Sequence, residues 1–454
     1  MATGKHLCAL LWLTNPFGMR GPVPVRKVSP SKRLVPQAHA LLLFTVVMCH
    51  TAQAQQQQMM LRLERADSLS GRWSEIPMSP EMLTNGRVAA GPITNNAGFW
   101  RMKGEMVTVV APAVPSNSLT VPRDVSSIQA AVDALTNGGT VFIASGVYTS
   151  PITITGKYIN LIGLTNGAKP VIRGAFVTNS AGFSNAPGLI NYGPNSGGAI
   201  MNMLVSGGDT GIRGFSAADP RSLPPYVTLS NVSVANAARG ISGGFAELNV
   251  FNSAIVSATV HSVSIQSPTY GAINFADSHL GSAGSCGLRV ESFRPTNNPL
   301  PVSILKTTFT GNGVAGAVMI GPIRASVIAG KFVGNGRAGF WCNDLATSDN
   351  VFWNSLANGN DWGLVTANSG VIDVFVSDFV GNRKSGIIAD KAPAGVVLGS
   401  STATGNFIGI IKSGNALFQE KNSYPNTVTN NTDADFIDGD APLPVPGPSD
   451  IPPP

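Results

Sequence analysis

The sequence predicts an all-β solenoid, and three observations carry that prediction. The first is composition. Only 12% of the 454 residues are charged, beside 51 glycines and 32 prolines, where globular chains carry about 25% charged residues. Charge-driven disorder is excluded, and so is a Leu/Glu/Lys-rich helical protein. Gly, Asn, Ser, Thr and Val in short runs ask instead for many strands and turns. The second observation is a period. Gly316, Gly339, Gly363, Gly386 and Gly409 follow one another at steps of 23, 24, 23 and 23, and Gly211, Gly240 and Gly287 read as earlier members with longer loops. The third is that other positions keep this phase. Phe309, Phe332, Leu356 and Phe379 stand seven residues before the glycine, and Asn236, Asn312, Asn335 and Asn382 four before it. One such unit cannot bury a core alone. Stacked coils can, each strand pairing with the next coil about 4.8 Å away. An Asn at a fixed bend then forms an amide ladder, and Gly supplies positive φ or close approach.

The elements follow in order. Residues 1–54 read as a signal peptide: basic residues, an apolar core at Ala38–Met48, and Ala52-Gln53-Ala54 with cleavage after Ala54, an uncleaved N-terminal anchor being the alternative. The core is too short to span a bilayer, so no stable membrane insertion is expected after cleavage. Met19 is a second candidate start. Residues 55–112 lack the repeat. Strand-like runs at residues 60–65 and 98–102 make them a small β-rich module or an extension of the solenoid. Residues 113–118 read as a linker. The solenoid itself is expected over 119–415. Residues 416–440 follow as an extension that could pack on it, and the proline-rich residues 441–454 as an extended, unpacked and disordered tail.

The solenoid opens on Asp124-Val125-Ser126-Ser127-Ile128-Gln129-Ala130-Ala131-Val132-Asp133-Ala134-Leu135, followed by Gly138-Gly139-Thr140-Val141-Phe142-Ile143. Asp124 or Ser126 is placed to N-cap a short helix, with Ile128, Ala131, Val132 and Leu135 on one face. Such a helix plugs the open mouth of a solenoid. Entrance and repeats together resemble the right-handed parallel β-helix proteins of the pectate-lyase-like superfamily, across roughly residues 119–415. The resemblance implies a single right-handed parallel β-helix with coils of about 23 residues and an N-terminal capping helix. That superfamily hosts lyases, hydrolases, esterases and non-catalytic adhesins, so the resemblance specifies fold more than function.

Charge and cysteines set further bounds. The net charge of +6 comes from six basic residues in 1–54, where there is no acid; the remainder holds 24 basic and 24 acidic residues. Nothing then points to nucleic acid. Cys8 and Cys49 leave with the leader. Cys286 and Cys342 fall on non-adjacent coils, too far apart for a disulfide.

The chemistry-bearing motifs are weaker. Two Gly-x-Gly-x-x-Gly strings, at Gly311 and Gly334, match a dinucleotide fingerprint in letters, but a strand rather than a helix follows each, so they read as turns. Asp277-Ser278-His279 offers triad residue types, but neighbours on a strand face opposite ways. No spacing fits zinc. The pectin methylesterase motif is not intact, because Asn274 stands where its aspartate would be. Stacking phase brings Asp344, Asp349, Asp373 and Asp390 near one another as candidate catalytic carboxylates, with ordinary turn aspartates as the alternative. Trp341, Trp353 and Trp362 fall on adjacent coils, and with Asn368 and Lys391 they form the candidate substrate-binding set. Exposed, the tryptophans would stack on sugars; buried, they would fill core. Arg337, Asp361 and Lys384 read as a solvated charge ladder. No cofactor is expected; calcium is the one metal the resemblance leaves open.

The function expected is that of an exported protein directed at an extracellular polysaccharide or cell-surface glycan. It would bind that polymer and, if catalytic, process it by lyase or hydrolase chemistry through carboxylates and a base such as Lys384 or Lys391. The alternative is a non-catalytic cell-surface scaffold or adhesin-like protein. Finally, the rows one and two residues after the repeat glycine are both apolar, from Ala317 and Val318 to Ile410 and Ile411. One of them must face outward and needs a cover, from this chain or from a homo-oligomer.

Overall fold

A computed structural model describes residues 117–175, 188–215, 223–267, 271–343, 345, 349–367, 370–391, 395–421 and 425–439, together with three backbone strands nearer the N-terminus. Those three, Gln56–Ala66, Ser74–Glu75 and Phe99–Val109, form an antiparallel sheet in which Gln56 pairs with Val109 and Ala66 with Phe99. They belong to a compact unit ending at Pro115; a second unit starts at Ser116. Residues 1–54, expected to be a leader, and residues 441–454 lie outside the described residues. No described helix is long and apolar enough to cross a membrane.

From Ser118 to Asp438 the chain is a right-handed parallel β-helix. Each coil visits three parallel sheets in turn. Sheet I has 12 strands, from Ile152–Ile154 to Ala434–Asp438. Sheet II has 13, from Ser118–Val121 to Leu417–Glu420. Sheet III has 12, from Val147–Tyr148 to Thr427–Thr429. The stack thus runs past residue 415: residues 416–440 contribute its last strands rather than a separate packed extension.

The capping helix spans Ile128–Ala134. Ile128, Ala131, Val132 and Leu135 are buried against the first coil. Neither Asp124 nor Ser126 caps it. Ser127 does, its hydroxyl accepting from Ala130 N at 3.1 Å. Asp124 instead accepts from Thr120 N and pairs with Arg123 at 2.9 Å. At the other end, Lys157 Nζ donates to the carbonyls of Val132 and Leu135, placing a cation at the negative end of the helix.

Two corners shape every coil. Between sheets II and III the first corner residue takes positive φ, as at Asn231, Asn252, Asp277, Lys306, Ala329, Asn354, Val376 and Ser400. Between sheets III and I a positive-φ residue such as Gly334 precedes a buried asparagine. Asn312, Asn335, Asn360, Asn382, Asn406 and Asn431 form one ladder there, each Nδ2 donating to the next Oδ1 at 2.8–3.1 Å. Asn236 is not a rung; it occupies the positive-φ site itself. The repeat glycine that follows serves close approach. A Cβ on Gly339 would lie 2.6 Å from Gly363 O, and one on Gly363 2.4 Å from Gly386 O.

The inner rows form one continuous core. In sheet III, Phe309 and Phe332 stack at 4.8 Å. On the next coil Ala357, not Leu356, faces in, and Phe352 from sheet II fills the space, 5.7 Å from both Phe332 and Phe379. Cys286 and Cys342 are free, buried and two coils apart. Of the two apolar rows after the glycine, Ala317, Phe340, Leu364, Ile387 and Ile410 point in. Val318, Trp341, Val365, Ile388 and Ile411 lie on the outer side of sheet I, and they too are buried.

Candidate functional site

The residues singled out between 341 and 391 do not converge. Trp341 and Trp362 are 1% and 3% exposed, buried on the outer side of sheet I. Trp353 is 51% exposed but stands on sheet II. The three tryptophans therefore form no stacking platform. Coil spacing alone suggested one, because it does not say which sheet a residue joins. Asp349 sits at the corner entering sheet II, 3.5 Å from Arg324. Asp373 lies in the middle of a sheet II strand, beside Val351 and Val397. Asp390 ends a sheet I strand and accepts from the Ser413 hydroxyl. Lys391 is exposed at the next corner. Asp344 and Asn368 lie outside the described residues. Among the described residues no group of three or more His, Cys, Asp or Glu side chains is close enough to hold a metal. Of the charged row, Asp361, its side chain 18% exposed, meets Lys384 at 3.1 Å and the neighbouring Arg383 at 2.7 Å.

An exterior groove opens elsewhere, on the corner between sheets II and III. It has a volume of about 390 Å³ and crosses four successive coils. Two parallel rows line it. The corner row is Asn231, Asn252, Asp277 and Lys306; the sheet III row is Ser233, Ala254, His279 and Thr308. The fold places these side chains by simple rules. The corner turns one residue outward on each coil, and strand alternation turns out the residue two positions later. Asp277 and His279 therefore share the groove. Ser278 between them faces in, accepting from Ser253 N at 3.2 Å and donating to Ala276 O at 2.8 Å. Two of the three triad residue types thus meet on one surface, without the nucleophile.

The groove is braced at its first and third coils. Lys169 Nζ donates to Asn231 O and Oδ1, each at 2.8 Å, and Asn231 Nδ2 donates to Asn202 Oδ1 at 2.7 Å. Partial burial draws the Lys169 ammonium below its ordinary pKa. The His279 ring lies over Gly281, where a Cβ would come within 2.8 Å of Nε2, and that nitrogen meets Thr310 Oγ1 at 3.4 Å. Small neighbours keep the floor open, since Ala254 and Ser233 continue the row in which His279 stands. Asn274 is unrelated to this surface. It faces out from sheet II and donates to Asn249 Oδ1 at 2.8 Å.

Sequence reading passed over this groove. The corner row has no fixed distance from the repeat glycine, because the strands between them vary in length. A signal was present: each of Asn231, Asn252, Asp277 and Lys306 stands two residues before its sheet III outer residue.

Among solved structures the chain is similar to the periplasmic alginate epimerase AlgG, at 12% identity over 62% of this chain and 76% of that one, with a TM-score of 0.44. It is similar to the A-module of the mannuronan C-5 epimerase AlgE6 of Azotobacter vinelandii, at 16% identity over 70% and 95%, with a TM-score of 0.42. It is also similar to a polygalacturonase from Erwinia carotovora ssp. carotovora, at 16% identity over 72% and 98%, with a TM-score of 0.38. No family model and no curated protein matches the chain. The likeness is one of fold, at identities too low to carry any residue's role.

Proposed function

We propose that this is an exported protein that binds a polysaccharide along the groove between sheets II and III. One observation carries the reading: the groove repeats its polar side chains at coil spacing, about 4.8 Å, over four coils. A periodic row of donors and acceptors suits a polymer of hydroxylated units. Amides and hydroxyls at Asn231, Asn252, Ser233 and Thr308 both donate and accept, as sugar hydroxyls require. Lys306 adds one exposed cation, which favours an acidic sugar such as a uronate. Export rests on the leader reading of residues 1–54.

Binding stands ahead of catalysis. Beyond the groove the outward positions of sheet III are largely uncharged, among them Ser206, Ala235, Val256, Thr310, Val333, Val380, Thr402 and Thr404. A catalytic reading keeps one support, Asp277 and His279 on a single face, where one could take a proton and the other give it.

The test is calorimetric titration of the protein with neutral and uronic-acid polymers, with and without calcium, alongside an assay for shortened or unsaturated products. Saturable binding of an acidic polymer that Lys306→Ala weakens about tenfold, or about 1.4 kcal/mol, is the expected result. Binding unchanged by Lys306→Ala and by Asn252→Ala removes the groove from the account. Product release abolished by His279→Ala would make the protein an enzyme.

A further inference from the structure

The outer face of sheet I carries a buried apolar stripe; among the described residues, Lys384 Nζ lies over it at the Trp362 end, 4.3 Å from the ring centroid. The stripe runs from Cys286 through Val318, Trp341, Val365 and Ile388 to Ile411, and all six are at most 1% exposed. On sheets II and III the outward positions stay exposed or half-buried, as along Ile323–Ile328 and Lys331–Val333. On sheet I the described apolar residues packed on the stripe, Val314, Ile320, Ala434 and Ile437, belong to the same sheet or lead into it. The stripe also holds two orphaned donors. Trp341 Nε1 and Trp362 Nε1 are buried with no hydrogen-bond partner, and a buried unpaired N–H costs about 1–3 kcal/mol. Its occupant therefore has to bring apolar side chains and free acceptors together.

We propose that this stripe is a polyproline-II groove and that residues 441–454 of the same chain occupy it, their backbone carbonyls facing the indoles of Trp341 and Trp362. Three features select that segment. Its composition fits: Pro442, Pro444, Pro446, Pro448, Pro452, Pro453 and Pro454 alternate in part with Leu443, Val445 and Ile451. Polyproline II makes no internal hydrogen bonds, so its carbonyls are free, and aromatic-lined grooves recognise it. Its starting point fits: Ala434–Asp438 is the end strand of sheet I, and Gly439 N still donates to Lys412 O at 2.9 Å. Its length fits as well. From the Ala434 strand to the Cys286 strand are six steps, about 29 Å at 4.8 Å each. Fourteen residues of polyproline II reach about 43 Å.

A photo-crosslinking residue in place of Val445, in the full chain, tests this directly. The expected product joins position 445 to a peptide from the sheet I strands between 315 and 411, within one chain. Deleting residues 441–454 leaves every described strand in place and should raise binding of an apolar-sensitive dye several-fold. A synthetic peptide of 441–454 should reverse that rise. A crosslink elsewhere in the chain, a crosslink joining two chains, or a truncated chain that stays dye-silent overturns the proposal. If the truncated chain precipitates, the crosslink decides alone.

Discussion

Val376 occupies a corner where φ is 51°, a left-handed conformation that a β-branched residue rarely adopts. The same corner on other coils holds Asn202, Asn231, Asn252 and Asn354, which accept that conformation at lower cost. Val376 is 50% exposed, so little apolar burial is at stake. Val376→Asn should raise the thermal midpoint, with a gain of about 1 kcal/mol; a lower midpoint would mean that the isopropyl group makes contacts worth more than the backbone strain. Asn360 is the opposite case. Its Oδ1 accepts from Asn335 N and Nδ2, both at 2.9 Å, while its Nδ2 donates to Phe332 O at 3.0 Å and Asn382 Oδ1 at 3.1 Å. Asn360→Ala takes the side-chain partner from Asn335 N and Phe332 O, while Asn335 Nδ2 keeps Phe309 O and Asn382 Oδ1 keeps Asn360 N; each buried group left unpaired costs about 1–3 kcal/mol. Urea unfolding should show a loss of at least about 2 kcal/mol, and a smaller loss for Asn431→Ala at the exposed end of the ladder. The ladder was only partly legible in the sequence. Counting back from the repeat glycine found Asn312, Asn335 and Asn382 but missed Asn360 and Asn406. Those two stand three residues before their glycine instead of four, because their corners are one residue shorter.

At the scale of the element, the entrance shows which local signals survive folding. The apolar face of the helix was readable because period 3.6 is a property of the sequence alone. The cap was not, since Asp124, Ser126 and Ser127 are all competent N-cap types and the choice depends on where the preceding strand ends. That strand, Ser118–Val121, brings Thr120 N within 2.8 Å of Asp124 Oδ2 and so removes Asp124 from capping. The Arg123 guanidinium and the Thr120 N–H hold the Asp124 carboxyl down at about 2. A folded-state pKa below the unfolded value stabilises the fold at neutral pH, and that contribution fades as pH falls. For Asp124 the fading runs from about pH 4, its unfolded range, down to about 2. Asp124→Asn should therefore lower the thermal midpoint at pH 7, and the gap from the parent chain should close on titration to pH 2. A gap that stays constant across that range would show that the loss comes from packing and not from the carboxylate charge.

From Ser118 to Asp438 the chain is a one-dimensional stack, and that accounts for both what the sequence disclosed and what it withheld. Fold class was legible because each coil repeats the same demands for close approach, a buried amide and an inward apolar row. The surface was less legible, because outside the apolar row of sheet I the outward residues keep no fixed distance from the repeat glycine and the turns before sheet II vary in length. This is why Trp341 and Trp353, twelve residues apart, end on different sheets, and why the groove over Asp277 and His279 went unseen. Quasi-one-dimensional construction also makes a strong demand on tolerance to deletion. Residues 312–334 are one complete coil, with one strand for each sheet: Ala315–Ile320, Ile323–Ile328 and Lys331–Val333. Removing all of them joins Gly311 to Asn335, so a positive-φ glycine again precedes a ladder asparagine, and Asn335 takes the place of Asn312. Each sheet then closes across the gap onto its next strand. Phe309 would meet Ala357 instead of Phe332, losing one stacked ring. The shortened chain should fold with the same strand signal per residue in circular dichroism. Its urea dependence should fall by roughly one coil in twelve, in step with the surface exposed on unfolding. Removing only residues 312–322 cuts a sheet I strand and leaves the corner out of phase, and it should abolish folding. If both deletions fold equally well, the coil is not the unit of stability; if neither folds, coil-to-coil side-chain fit outweighs the repeated backbone frame.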